Sequence, residues 1–190
     1  MRQVHCTFWF EHAALRLLVG DVEGHRRACA EMLKHLEKKG SAVMRAYLVA
    51  RACTLTSSTG RLLDESTSRR VKQAVQQELT TNGMANWSLT QQGALSCRAG
   101  RSEEAQAFLK QCMETHPYWD GQVLNRLWRV LVQYQLGQKE DARESTASLR
   151  SWFDKHGGVM PSKLEGTVAL HLHDWLEAHI LRREAQGLVK

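Results

Sequence analysis

Residues 100–105 read GRSEEA and residues 137–142 read GQKEDA. Gly100 and Gly137 are 37 residues apart, and so are Ala105 and Ala142. A looser copy, GDVEGH, begins at Gly20, 80 residues before Gly100 and so about two periods away. A motif that returns at a spacing of roughly 20 to 50 residues marks a chain built from stacked units. Each unit is too small to bury its own apolar face and must bury it against the next. Around each glycine the flanking segments carry a helical stripe. After Gly100 it runs through Ala105, Phe108, Leu109, Cys112 and Met113, the i, i+3, i+4, i+7, i+8 pattern. The unit is therefore helix, glycine turn, helix.

The same periodicity and punctuation predict helices over 8–19, 21–38, 42–54, 66–80, 85–98, 102–115, 122–136, 138–155 and 162–186. Asp21, Ser41 and Ser102 are expected N-caps. TTNG at 80–83, HPYWDG at 116–121 and GGVMPS at 157–162 are stops. TLTSSTGRLLDESTS reads as a loop insertion. With only 2 prolines the helices are seldom interrupted. The expected fold is all-α, a single domain over 1–190 with four helix pairs, about 8–40, 42–82, 85–119 and 122–156. A long capping helix over about 162–186 follows, with Glu177, Arg182, Arg183 and Glu184 on its outer face.

The third pair resembles the tetratricopeptide repeat. Gly93 stands at the small position of its first helix, Gly100 at the turn and Ala105 at the small position of its second helix. Leu109 is the large apolar residue, Cys112 the later small one, and Pro117 closes the unit. A side chain larger than Gly93 or Ala105 would hold the two helices apart. The fourth pair keeps Gly137, Ala142 and Leu149, with Val130 at the first small position. The first keeps Gly20 but has His25 where the alanine would stand, and the second lacks the turn glycine. The resemblance implies a tetratricopeptide-like α-solenoid whose first helices line a concave surface. The wider string LLVGD, GHRRACAEML, YLVARAC and a final LRREA is similar to the C-terminal repeat region of large planctomycete-type bacterial proteins. Those carry a serine/threonine kinase domain or WD repeats upstream. That likeness implies a kinase domain as a partner in cis or trans, since no Gly-rich loop, HRD or DFG stands in this chain.

The charge balance is +6, with basic residues scattered among acids, as in HLEKKG; this reads as solvated helix faces and argues against a nucleic-acid surface. The longest basic cluster, SRRVK, is short. No window approaches the roughly 18 apolar residues of a membrane span. The N-terminal segment has Glu11, His12 and Arg16 inside its apolar run and reads as a helix, not a signal peptide. Five cysteines, none in a CxxC pair, fall mostly on apolar faces and suggest a reducing, cytoplasmic setting.

Neither GxSxG, Walker A, HExxH nor a Cys/His metal spacing occurs, so no catalytic residue, metal or cofactor is expected. In HLHDWLEAH (171–179), His173 and Glu177 share a helix face, which the sequence reads as solvent-exposed rather than metal-binding. Cys112 and His116 are read as core and turn. Glu103, Glu104, Glu140 and Asp141 complement helix dipoles. The concave surface is expected to present Gln91, Asn125, Arg126, Trp128, Arg129 and Gln133 to an extended acidic or C-terminal segment of a protein partner. Phe8 and Trp9 predict a sticky N-terminal end that self-associates. The function expected is that of a non-catalytic scaffold for protein–protein contacts. The alternatives are a regulatory or docking tail of a bacterial serine/threonine kinase and, more weakly, nucleic-acid binding.

Overall fold

A computed structural model describes residues 6–37, 45–57, 63–81, 83–119, 121–156 and 171–188. Among these are nine helices and no strand: α1 (Cys6–Leu18), α2 (Val22–Glu37), α3 (Ala46–Thr54), α4 (Glu65–Thr81), α5 (Ala85–Arg98), α6 (Ser102–Thr115), α7 (Gln122–Gln135), α8 (Lys139–His156) and α9 (Leu172–Leu188). The expected cap at Ser41 and residues 162–170 of the expected last helix lie outside the described residues.

Four turns share one geometry. Gly20, Gly83, Gly100 and Gly137 have φ between 68° and 84°. Each glycine N–H bonds a carbonyl three residues back, and the next N–H bonds one five back: Arg101 to Ser96 at 2.9 Å, Gln138 to Gln133 at 2.9 Å. This is the Schellman ending, which uses a left-handed residue to satisfy helix-end carbonyls. Asp21 then caps α2, accepting from the Gly24 N–H at 2.8 Å. Ser102 does not cap α6; its hydroxyl donates to Gln135 Oε1 on α7 at 2.9 Å, tying two units together. Asp64 caps α4, accepting from the Thr67 N–H at 2.7 Å.

The helices pack as pairs, α1 with α2, α3 with α4, α5 with α6 and α7 with α8. Each first helix also touches the next first helix, and each second helix touches the following pair. At Gly93 on α5 the approach is close, for a Cβ there would stand 2.7 Å from Leu109 Cγ and Cδ2 on α6. Ala105 and Ala142 are buried at the matching small positions, and Leu109 is buried beneath Gly93.

The last helix departs from the expected terminal cap. α9 packs against both α1 and α7, the two outermost first helices. His173 at its start meets the Phe10 ring edge-on at 6.5 Å, and Arg183 near its end donates to the Leu18 carbonyl at 3.1 Å. It therefore runs beside α1 in the same direction. Leu176 and Ile180 join the core of the first two pairs; Ala178, Leu181 and Ala185 join the core of the last two. Every residue from 174 to 181 is buried or half-buried. Glu177, expected on a charged outer face, is 2% exposed. Over 174–181 the helix is covered on all sides and lies inside the fold, while Arg183, Gln186 and Gly187 in its last turns are exposed.

Candidate functional site

Every residue of α3, AYLVARACT, is buried, and one of them is an arginine. A guanidinium has to be paired there, because an isolated buried charge costs many kcal/mol. α9 supplies the partners at i, i+3 on one face. Arg51 Nη2 lies 2.7 Å from Asp174 Oδ1, and Arg51 Nε lies 2.6 Å from Glu177 Oε2. The guanidinium carbon sits over the rings of Phe10, Tyr47 and Trp87 at 4.9, 5.2 and 5.5 Å. Burial opposes the Arg51 charge, but Glu177 and Asp174 outweigh it and hold the pKa above the ordinary arginine value. Burial raises the Glu177 carboxyl against the pull of Arg51. The expected solvent-exposed His-and-acid face at 171–179 is thus corrected: Asp174 and Glu177 turn inward because Arg51 requires them.

A second lock closes the other end. Arg98, at the end of α5, makes a bidentate pair with Glu184 at 2.6 Å on both nitrogens. It also donates to the Thr54 carbonyl at 2.7 Å, at the end of α3.

At the opposite end the starts of α1, α3, α5 and α9 and the turn before α7 converge. They surround a cavity of about 550 Å³, lined by Thr7, Arg45, Tyr47, Trp87, Tyr118, Trp119, His171 and His173 among others. Its aromatic wall is continuous. Tyr47 meets Trp87 at 5.9 Å and Trp87 meets Trp119 at 4.7 Å, both edge-on, the preferred geometry of aromatic pairs. His171 stacks on His173 at 5.3 Å. Burial pushes the His173 imidazole down to about 4, so it is neutral at pH 7. Arg51 is buried between two carboxylates, and Arg45, itself paired with Glu78, is the exposed cation at the mouth. Arg45 is 46% exposed and held at 2.6 Å by Glu78, which also accepts from the Tyr47 N–H at 3.2 Å and so caps α3. Tyr118 is 93% exposed beside it. The first turns of α5 and α7 have no side-chain cap. The cleft is open to solvent and combines its aromatic wall with a largely polar lining that includes Arg45, Asn86, His171, His173 and Asp174.

The sequence-derived groove residues separate into two groups. Gln91, Asn125 and Trp128 are buried and present nothing to a partner. Asn125 Nδ2 donates to Thr90 Oγ1 at 3.2 Å and Gln91 Nε2 to Thr54 Oγ1 at 3.3 Å. They hold neighbouring first helices together, and α9 covers the face they were expected to line. Arg126 is half-buried and Arg129 exposed. Both edge a separate cavity of about 310 Å³ with Met113, Glu144 and Ser148. Gln133 is half-buried. Cys112 is core, donating to the Asn86 carbonyl at 3.4 Å, and His116 bonds Thr115. Pro117 sits in the bend that carries Tyr118 and Trp119 to the mouth. Sequence reasoning missed Arg45, Tyr47, Arg51, Trp87 and Arg98. The one available signal was Arg51 itself, a lone charge within YLVARACTL.

Among the described residues no helix is long and apolar enough to cross a membrane. Comparison with protein-family models, with curated proteins and with solved structures finds no match to this chain.

Proposed function

We propose that this chain is a non-catalytic helical-repeat scaffold, a tetratricopeptide-like α-solenoid, that binds an extended protein segment at the cavity where its first helices begin. The carrying observation is that cavity of about 550 Å³, with its Tyr47–Trp87–Trp119 wall and the half-exposed Arg45 at its rim. The repeated glycine turns and the contacts between successive first helices support the solenoid reading. With α9 covering the inner face, the partner's place moves from a long groove to one end. Preformed aromatic walls bind with little reordering, and Arg45 favours a segment that carries a carboxylate beside an apolar side chain.

The test is a peptide-library screen on the intact chain, with hits re-measured on Arg45→Glu/Tyr118→Ala and on Arg126→Glu/Arg129→Glu. Acidic–apolar hits that lose affinity about ten-fold or more, or ~1.4 kcal/mol, only with the first variant support this site. Hits lost only with the second variant would move the site to α7 and α8, and a screen without hits would remove the peptide-binding reading. Phe8 is exposed at the start of α1, while Trp9, expected to be exposed with it, is half-buried against the core and His35; Leu15, Val19 and Val22 are exposed at the other end of α1 and in the turn after it. Self-association through these exposed residues belongs to the same proposal, and a monomer in sedimentation at high concentration would count against it.

A further inference from the structure

α7 carries two positive charges and no acid. Its sequence, QVLNRLWRVLVQYQ, has Arg126 and Arg129 but neither Asp nor Glu, so neither arginine finds a carboxylate one turn away on its own helix. Elsewhere the chain pairs its surface arginines in that way: Arg26 with Glu23, Arg101 with Glu104 and Arg143 with Glu140. Among the described residues Arg126 and Arg129 hold no carboxylate, carbonyl or ring. Both line the cavity of about 310 Å³ that the end of α6 forms with α7 and α8.

The side of the cavity that α8 supplies follows the same pattern. Ser145 and Ser148 both line it, three residues apart on one helix. A helix hydroxyl is ordinarily satisfied by the carbonyl one turn back, as Thr146 is by the Ala142 carbonyl at 2.7 Å. The hydroxyls of Ser145 and Ser148 have no partner among the described residues. Met113, half-buried, and Leu149, buried, add apolar surface. Glu144 completes the lining and makes no ion pair with either arginine. Arg129, Glu144 and Ser148 are exposed, so the cleft opens directly to solvent.

Two guanidiniums and two hydroxyls, all without partners, thus share one open cleft. Their number decides the ligand. A carboxylate has two oxygens, and a single guanidinium fork satisfies it; the second arginine would stay unmet. A phosphoryl group presents three oxygens and about two negative charges at pH 7, enough for both forks and the hydroxyls. We propose that this cleft binds a phosphate monoester, with Arg126 and Arg129 paired to its oxygens, Ser145 and Ser148 donating to them, and the organic part of the ester against Met113 and Leu149. Glu144 repels the same charge and holds the affinity down. The site is separate from the aromatic cavity and stands if the segment-binding reading of that cavity fails.

The test titrates the full chain with phenyl phosphate and with benzoate, following the arginine Nε–H resonances by NMR. Phenyl phosphate should shift Arg126 and Arg129 saturably, with benzoate bound about ten-fold or more weakly. Arg126→Gln/Arg129→Gln should lose about ten-fold or more, and Glu144→Gln should gain about three-fold. Arg150, also without a partner on α8 but outside this cleft, is the control, and Arg150→Gln should bind as the wild type does. A phosphoserine tripeptide that binds more tightly than phenyl phosphate would identify a protein segment as the source of the ester, and the reverse order a small molecule. No saturation below roughly 20 mM phenyl phosphate, equal binding of benzoate, or an equal loss in Arg150→Gln each overturns the proposal. So does an unchanged affinity in Glu144→Gln, an exposed position that decides the matter even where the double variant does not fold.

Discussion

Two glycines show how differently one residue type can be constrained. Gly137 has φ of 76° and open space where a Cβ would stand. Gly137→Ala therefore pays only for a left-handed backbone, about 1–2 kcal/mol, and Gly137→Asn pays less. Gly93 has no such backbone demand but faces Leu109. Gly93→Ala is expected to cost about 1–3 kcal/mol by overpacking, and adding Leu109→Val should return part of it. Urea unfolding of the four variants checks both, with the slope unchanged. The turn glycines were legible in the sequence because a left-handed helix end has essentially one tolerant residue. His173 was not legible as half-buried, because its partial burial comes from packing that sequence spacing does not record. Its folded pKa of about 4 lies below the ordinary 6.5. Between those values the unfolded chain binds a proton that the folded chain refuses. Stability is thus full above pH about 6.5 and falls as the pH drops toward 4, by up to about 3 kcal/mol from this group. Glu177, raised by burial, works in the opposite sense. The difference between wild type and His173→Gln in chemical unfolding from pH 7.5 to 4 isolates the histidine; parallel curves would refute its burial.

At the scale of elements, α9 is fastened by two arginines from other helices. Arg51→Met leaves Asp174 and Glu177 buried without a counter-charge and should cost about 3–5 kcal/mol. The triple change Arg51→Met/Asp174→Asn/Glu177→Gln should recover much of that loss, which thermal unfolding would show. Equal losses in the single and triple variants would mean that the ion cluster does not carry the effect. Among the described residues the limits of α1 to α8 were legible to within a few residues, since periodicity and glycine turns are local, whereas the last helix was expected from 162 and α9 begins at Leu172. The place of α9 was not legible either. Its periodicity separates an apolar from a charged face, and charge usually means solvent; the arginine that reverses that rule lies 123 residues away from Asp174. The cavity was illegible for the same reason, its walls arising from residues 7, 45–51, 84–87, 118–119 and 171–174.

At the scale of the molecule, α9 ties the first pair to the last. An array in which each unit touches only its neighbours melts from its ends. Here loss of α9 opens both cores at once, because its side chains belong to each. Tryptophan fluorescence and far-ultraviolet circular dichroism should therefore report one coincident unfolding transition. A separate early transition of the first pair would show that the closure does not couple the units.

The helix that joins the two cores of this fold is also made after the other eight described helices. From the end of α3 at Thr54 to the start of α9 at Leu172 there are 118 residues. At roughly 5–20 residues per second, α3 waits about 6 to 24 s on the ribosome before its partner is even synthesised. During that time the seat of α9 stands open to water with Arg51 inside it. A guanidinium there holds water, whereas a leucine would gather stray apolar segments of this chain or its neighbours. The charge that costs desolvation in the finished molecule is thus expected to keep the unfinished one in solution, and a higher aggregated fraction of Arg51→Leu chains truncated before α9 would be the sign of it.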